Sequence, residues 1–170
     1  MRVTKTELYD RYYSVYPDKA KLYRGDTEMP NHCHNMVTVY SANTHDVAKI
    51  KQMFEDENCF TQIIPEPDWP NTPNKDGELP VKHEDPWLTY RFSDGKVDDR
   101  WYDWRIQNWD TKWDCYDVVV TDEDPENTEI EFNTAWSPPE AICSALREQY
   151  PDVSITWFYD EPGMEIAGYL

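Results

Sequence analysis

The chain has 170 residues, which fits one domain and leaves little room for a second. Sixteen Lys and Arg against 34 Asp and Glu give a formal charge of −18, so phosphate backbones and anionic membranes repel the surface as a whole and direct nucleic-acid binding is disfavoured. Mean hydropathy is −0.90, yet aromatic residues make up 15% of the chain, including eight Trp and twelve Tyr, and disordered acidic chains are poor in such rings. The sequence therefore reads as a folded, very acidic globule whose core rests on large rings.

No run of about 18 apolar residues exists, and MRVTKTELYDRYY lacks an apolar stretch before a small-residue cleavage site, so a soluble, unsecreted protein is expected. Cys33, Cys59, Cys115 and Cys143 contain no CxxC pair. Neither a zinc ribbon nor a disulfide framework is indicated, and free buried thiols in a reducing cytoplasm are expected.

Residues 1–28 carry six Lys/Arg against five Asp/Glu, while the remainder carries ten against twenty-nine; the segment reads as an appendage. Within it Leu8, Tyr12, Val15 and Tyr16 recur at helical spacing until Pro17, which predicts a short amphipathic helix. From His34 to Ala42, HNMVTVYSA is β-branched and alternating, the first predicted strand. Thr44 can N-cap a helix to about Glu57, with Val47, Ile50 and Phe54 on one side. The stretch IIPEPDWPNTPNKDGELP, dense in Pro, Asn and Asp, cannot sustain a helix or a central strand and must run over the surface or wrap the core. A short helix from Asp98 to about Gln107 carries Trp101, Trp104 and Ile106.

CYDVVVT (115–121) and TEIEFNT (128–134) form two further strands, joined by DEDPEN and paired antiparallel. Ser137 before Pro138-Pro139 caps a helix to about Tyr150, with Ile142 and Leu146 inward. VSITWFYD alternates again, and MEIAGYL can add a last edge strand. Removing an insertion at about 58–114 leaves βαββαβ, an α+β ferredoxin-like sandwich of one antiparallel sheet with two helices on one face. The organisation is thus an N-terminal extension at 1–28 and a ferredoxin-like domain at 29–170.

MPNHCHNMVTVYS, IIPEPDW, RWYDWRIQNWDTKWD, FNTAWSPPEA and FYDEPGMEIAGY together resemble a family of small phage- and plasmid-borne proteins with a YubB-type ferredoxin-like domain, most of all versions from cyanobacterial phages. The resemblance covers about residues 29–170. Met29 matches the usual start of such proteins, so residues 1–28 stand as an extension, and Asp110 occupies a position where the family commonly has Gly. The resemblance implies a fold and a mobile-element setting, and no catalytic activity.

Five constellations bear on function. Trp101, Trp104, Trp109 and Trp113, with Trp136, form either an aromatic pocket or interface, on which Arg105 or Lys112 can stack, or a set of rings that pins the insertion to the sheet, with Asn108 and Thr111 satisfying local backbone groups. His32-Cys33-His34 offers soft ligands, but strand neighbours point to opposite faces, so only His32 and His34 can share an ion; Cys33 is expected to be buried and no metal is assigned.

Asp114, Asp117, Asp122, Glu123, Asp124, Glu126, Glu129 and Glu131 crowd one hairpin, with Glu129 and Glu131 on the face opposite Ile130 and Phe132. They serve as a phosphate mimic for a basic protein site, as solvating charge, or as loose cation ligands, although DEDPEN lacks EF-hand spacing. The topology also serves RNA-binding domains, and Phe158 and Tyr40 offer rings, but the outward glutamates repel phosphate. No nucleophile elbow, Walker A, dinucleotide loop or H-E-x-x-H is present; a dyad of Cys33 or Cys59 with His83 is left open.

The reading is a non-enzymatic, phage-encoded acidic accessory protein without cofactors, in the cytoplasm of the infected host, that binds a host or phage protein with a basic surface. Its binding residues are Asp122, Glu123, Asp124, Glu126, Glu129, Glu131, Trp101, Trp104, Trp109 and Trp113. The alternatives are a structural or assembly component of the virion, and an enzyme of unknown type. The oligomeric state does not follow from the sequence.

Overall fold

The computed structural model describes residues 31–56, 58–83 and 90–170. The amphipathic helix expected around Leu8, Tyr12, Val15 and Tyr16 lies outside them. The elements are β1 (His32–Tyr40), α1 (Thr44–Glu55), α2 (Cys59–Ile63), a 3-10 turn (Trp69–Asn71), β2 (Val81–Lys82) and β3 (Tyr90–Arg91), then α3 (Arg100–Trp109), β4 (Tyr116–Asp124), β5 (Asn127–Ala135), α4 (Glu140–Gln149), β6 (Ser154–Glu161) and β7 (Ile166–Tyr169). Five strands make one antiparallel sheet in the order β4-β5-β1-β6-β7. Without β7 this is the ferredoxin-like order, with the first and third strands of the βαββαβ unit in the centre.

Alternation along β1 explains its central place. Cys33, Asn35, Val37 and Val39 are buried, while His32, His34, Met36, Thr38 and Tyr40 face away from the core. Ile130 and Phe132 of β5 and Ile155 and Trp157 of β6 join the inner face, and Val47, Ile50 and Phe54 of α1 with Ile142, Cys143 and Leu146 of α4 cover it. Rings fill much of this layer: Phe132 lies 5.2 Å from Phe54, 6.2 Å from Phe60 and 5.5 Å from Trp157 between centroids. Among the buried polar groups beside them, Asn35 is fully satisfied. Asn35 accepts from the Trp157 indole at 3.0 Å and donates to the Cys33 carbonyl and the Thr134 hydroxyl at 3.0 Å each.

Two caps differ from expectation. Asn43, not Thr44, caps α1, its side chain accepting from the His45 N–H. Ser137 does not cap α4; its hydroxyl donates to the Asp110 carbonyl, and α4 begins only after Pro139. The connection DEDPEN is also shorter than expected, because β4 extends to Asp124 and β5 starts at Asn127.

Candidate functional site

The insertion between α1 and β4 builds a cleft. Its Pro-rich segment takes no regular form except the 3-10 turn at Trp69–Asn71, and is tied down instead by Arg100, which donates to the carbonyls of Trp69, Thr72 and Pro73 and pairs with Asp98 at 2.7 Å. Opposite, Arg105 of α3 makes a forked ion pair with Glu66, at 2.6 Å from Nη2 and about 3.0 Å from Nε. The Trp69 indole donates to the same carboxylate at 2.8 Å. These contacts leave a cleft of about 650 Å³ whose walls include Trp69, Trp101, Trp113 and Tyr90, with Glu66, Asp68 and Asp98 as its carboxylates. Arg105 already lies over the Trp101 ring at 5.2 Å and Arg100 over Trp69 at 5.1 Å, so these rings hold cations on their faces within the protein itself.

The tryptophan block divides. Trp101 and Trp113 line the cleft. Trp109 is fully buried: its ring packs 5.8 Å from Phe60, its indole donates to the Ile64 carbonyl at 3.1 Å, and Arg105 covers it at 4.8 Å. It cannot meet a partner surface, and its assignment as a binding residue is corrected to a core role that fixes α3 to the sandwich. Trp104 packs half-buried against the core, 5.7 Å from Trp109 and 6.5 Å from Trp69. Trp136 is 40% exposed with φ 75°, strained for a bulky side chain. Asn108 does satisfy a local carbonyl, that of Trp104 at 2.8 Å, whereas Thr111 reaches across to the backbone of Ala135.

The acidic residues lie elsewhere. Asp124 and Glu126 are exposed at the β4–β5 turn, Asp122 and Glu123 lie in β4, and Glu129 and Glu131 are exposed on the uncovered sheet face. Glu131 stands in a row across the sheet, Val119–Glu131–Met36–Phe158–Tyr169, formed by direct register partners. Its Val119, Met36 and Tyr169 are exposed. His32 and His34 share this face but turn to different groups: His32 Nδ1 lies 2.7 Å from the Tyr116 hydroxyl, and His34 Nε2 lies 3.6 Å from Glu131. Cys33 is fully buried on the opposite side.

Sequence reasoning missed Glu66, Asp68, Trp69, Tyr90 and Asp98 as cleft residues. A signal existed for Glu66 and Trp69, since both lie in a segment too rich in Pro to be core and yet carrying a Trp.

Residues 106–170 match the family described as a ferredoxin-like domain in Api92-like protein. The matched part holds β4, β5, α4, β6 and β7, and with β1 and α1 the strand order is that of a ferredoxin-like domain. Among solved structures, the protein Api92 from Yersinia pseudotuberculosis is similar over 82% of this chain and 93% of its own, at 10% identity and a TM-score of 0.49. No curated protein matches the chain. Among the described residues, no helix is long and apolar enough to cross a membrane.

Proposed function

We propose that the protein is a non-enzymatic acidic accessory protein that binds another protein by receiving a cationic segment of it in the insertion's cleft. The carrying observation is the cleft's composition: aromatic walls of Trp69, Trp101, Trp113 and Tyr90 beside the exposed carboxylate of Asp68, with Glu66 and Asp98 already neutralised by Arg105 and Arg100. A cation over such a face contributes about 0.5–2 kcal/mol, more as water is excluded. Exposed Asp124, Glu126, Glu129 and Glu131 add a long-range field that speeds encounter with a basic surface. The resemblance to YubB-type proteins of phages and plasmids suits an element-encoded modulator of a host protein, acting in the host cytoplasm and occupying a basic site otherwise used by nucleic acid.

The test uses an Arg/Lys-rich peptide against a neutral peptide of equal length. Binding of the basic peptide should weaken with rising salt, fall at least tenfold in Trp101→Ala and Asp68→Asn, and associate more slowly when Asp124, Glu126, Glu129 and Glu131 are neutralised. Binding that is indifferent to salt and to Trp101→Ala overturns the reading.

A second reading, a structural or assembly component of a particle, is favoured by the exposed apolar members of the sheet-face row, Val119, Met36 and Tyr169. Mass spectrometry of purified particles separates the two, because an early modulator should be missing from them.

A further inference from the structure

The insertion leaves the sandwich after α1 and rejoins it at β4, and its two ends meet. Asn58, in the left-handed region at φ 64°, turns the chain into α2, whose first residue is Cys59. Asp114 and Cys115 close the insertion immediately before β4. One sulfur of each cysteine and one carboxylate oxygen of Asp114 all lie within 4.8 Å of one another. Cys59 is fully buried, whereas Asp114 and Cys115 are half-buried, so the trio has a closed floor and an open rim.

The donor set is two thiols and a carboxylate, the ligands that zinc-class ions take in tetrahedral sites. A tetrahedral ion with metal–sulfur bonds of about 2.3 Å holds its donors roughly 3.5–3.8 Å apart, so these side chains need only small movements to close on one. The carboxylate is already oriented. The Phe60 N–H donates to its two oxygens at 3.1 and 3.2 Å and the Cys115 N–H to Oδ1 at 2.8 Å, which leaves lone pairs free on Oδ2. Outer hydrogen bonds of this kind hold ligating carboxylates in place.

We propose that Cys59, Asp114 and Cys115 form a binding site for a thiophilic divalent metal ion of the zinc class, with the remaining position open to water or an incoming ligand. Binding converts both thiols to thiolates and releases their two protons to solvent, with no change of oxidation state. The ion joins the two ends of the insertion, and every residue lining the cleft, from Thr61 to Trp113, lies within the loop it closes. Its role is to hold the cleft's walls on the sandwich, as a cross-link restricts a loop.

The test is a titration of the reduced full chain with Co²⁺ followed by Zn²⁺. One Co²⁺ per chain should bring up a thiolate-to-cobalt charge-transfer band that Zn²⁺ removes, with release of about two protons. The band should be lost in Cys115→Ser and in Cys59→Ser, weakened at least tenfold in Asp114→Asn, and retained in Cys143→Ser. Since Cys59 is in the core, the half-exposed Cys115 decides the outcome if Cys59→Ser fails to fold. No band in the reduced full chain, a band that survives in Cys115→Ser, or a Cys59–Cys115 disulfide formed by oxidised glutathione despite excess Zn²⁺ would each overturn the assignment.

Discussion

The Asp110 carboxylate accepts the backbone N–H of Ala141 at 2.8 Å, capping α4 from a residue thirty-one positions earlier. Asp110 itself ends α3 in the left-handed conformation, φ 63° and ψ 8°, a backbone position that glycine takes without strain. Here the strain of a side chain at that φ is offset by the cap it provides, and the Asp110 carbonyl also accepts from Ser137. Asp110→Ala keeps the strain and loses the cap, and should cost about 1–2 kcal/mol in urea unfolding. Asp110→Gly loses the cap but relieves the backbone, and should fall within about 0.5 kcal/mol of the parent. Equal losses in the two variants would show that the left-handed backbone carries no strain, and no loss in Asp110→Ala would show that the cap contributes nothing.

Asn35 is fully buried on the inner face of the sheet, and it joins β1, β5 and β6 through its bonds to Cys33, Thr134 and Trp157. Asn35→Leu leaves the Trp157 N–H without its acceptor, and should destabilise the fold by about 2–3 kcal/mol, read by denaturant midpoint. Trp157→Phe in the Asn35→Leu background should then cost less than in the parent, since the orphaned donor is removed with the ring.

Arg105 and Glu66 fix α3 to the Pro-rich segment, with the Glu66 side chain 10% and the Arg105 side chain 26% exposed. Arg105→Ala strands a mostly buried carboxylate that keeps only the Trp69 indole, and should cost about 2 kcal/mol. Arg105→Lys should recover little, because a lysine cannot reproduce the forked contact or the stacking over Trp101 and Trp109. A double-mutant cycle with Glu66→Ala by thermal unfolding should return a coupling of about 1–2 kcal/mol; a coupling near zero would mean that the pair does not hold the cleft.

Within one block of tryptophans, burial sorts the roles. Trp109→Ala opens a void under α3 and should cost about 4 kcal/mol or prevent folding, whereas Trp101→Ala should cost below about 1 kcal/mol while weakening the cationic peptide. Chemical unfolding followed by circular dichroism distinguishes the two.

The sandwich was legible because its strands and helices announce their buried faces by period: Val37 and Val39, Ile130 and Phe132, Ile155 and Trp157 alternate, and Val47, Ile50 and Phe54 fall at helical spacing. The cleft was legible only in part. Period cannot say which of Trp101, Trp104, Trp109 and Trp113 turn inward, since that depends on where Arg105 and Glu66 anchor α3, and residues 39 positions apart carry no local signal of pairing. The same holds for Cys59 and Cys115, which carry no spacing signature and meet only because the insertion's ends converge. The α4 cap was misread because Ser137 is a good capping type, and only the fold reveals that Asp110 reaches the site first.

Alkaline pH probes the central strand. Burial pushes the Cys33 thiol up to about 11, the Thr134 hydrogen bond lowers it by less, and Glu161 and Asp160 add to the rise. The unfolded thiol titrates near 9, so the folded state holds its proton longer. Stability is therefore unaffected by this group below about pH 9 and falls as pH rises toward 11, where the loss approaches about 2–3 kcal/mol. Cys33→Ala should lower stability slightly at pH 7 through lost packing but flatten the decline between pH 9 and 11 relative to the parent. Unfolding curves at matched pH measure that difference in slope, and parallel declines in the two proteins would place the titrating group elsewhere.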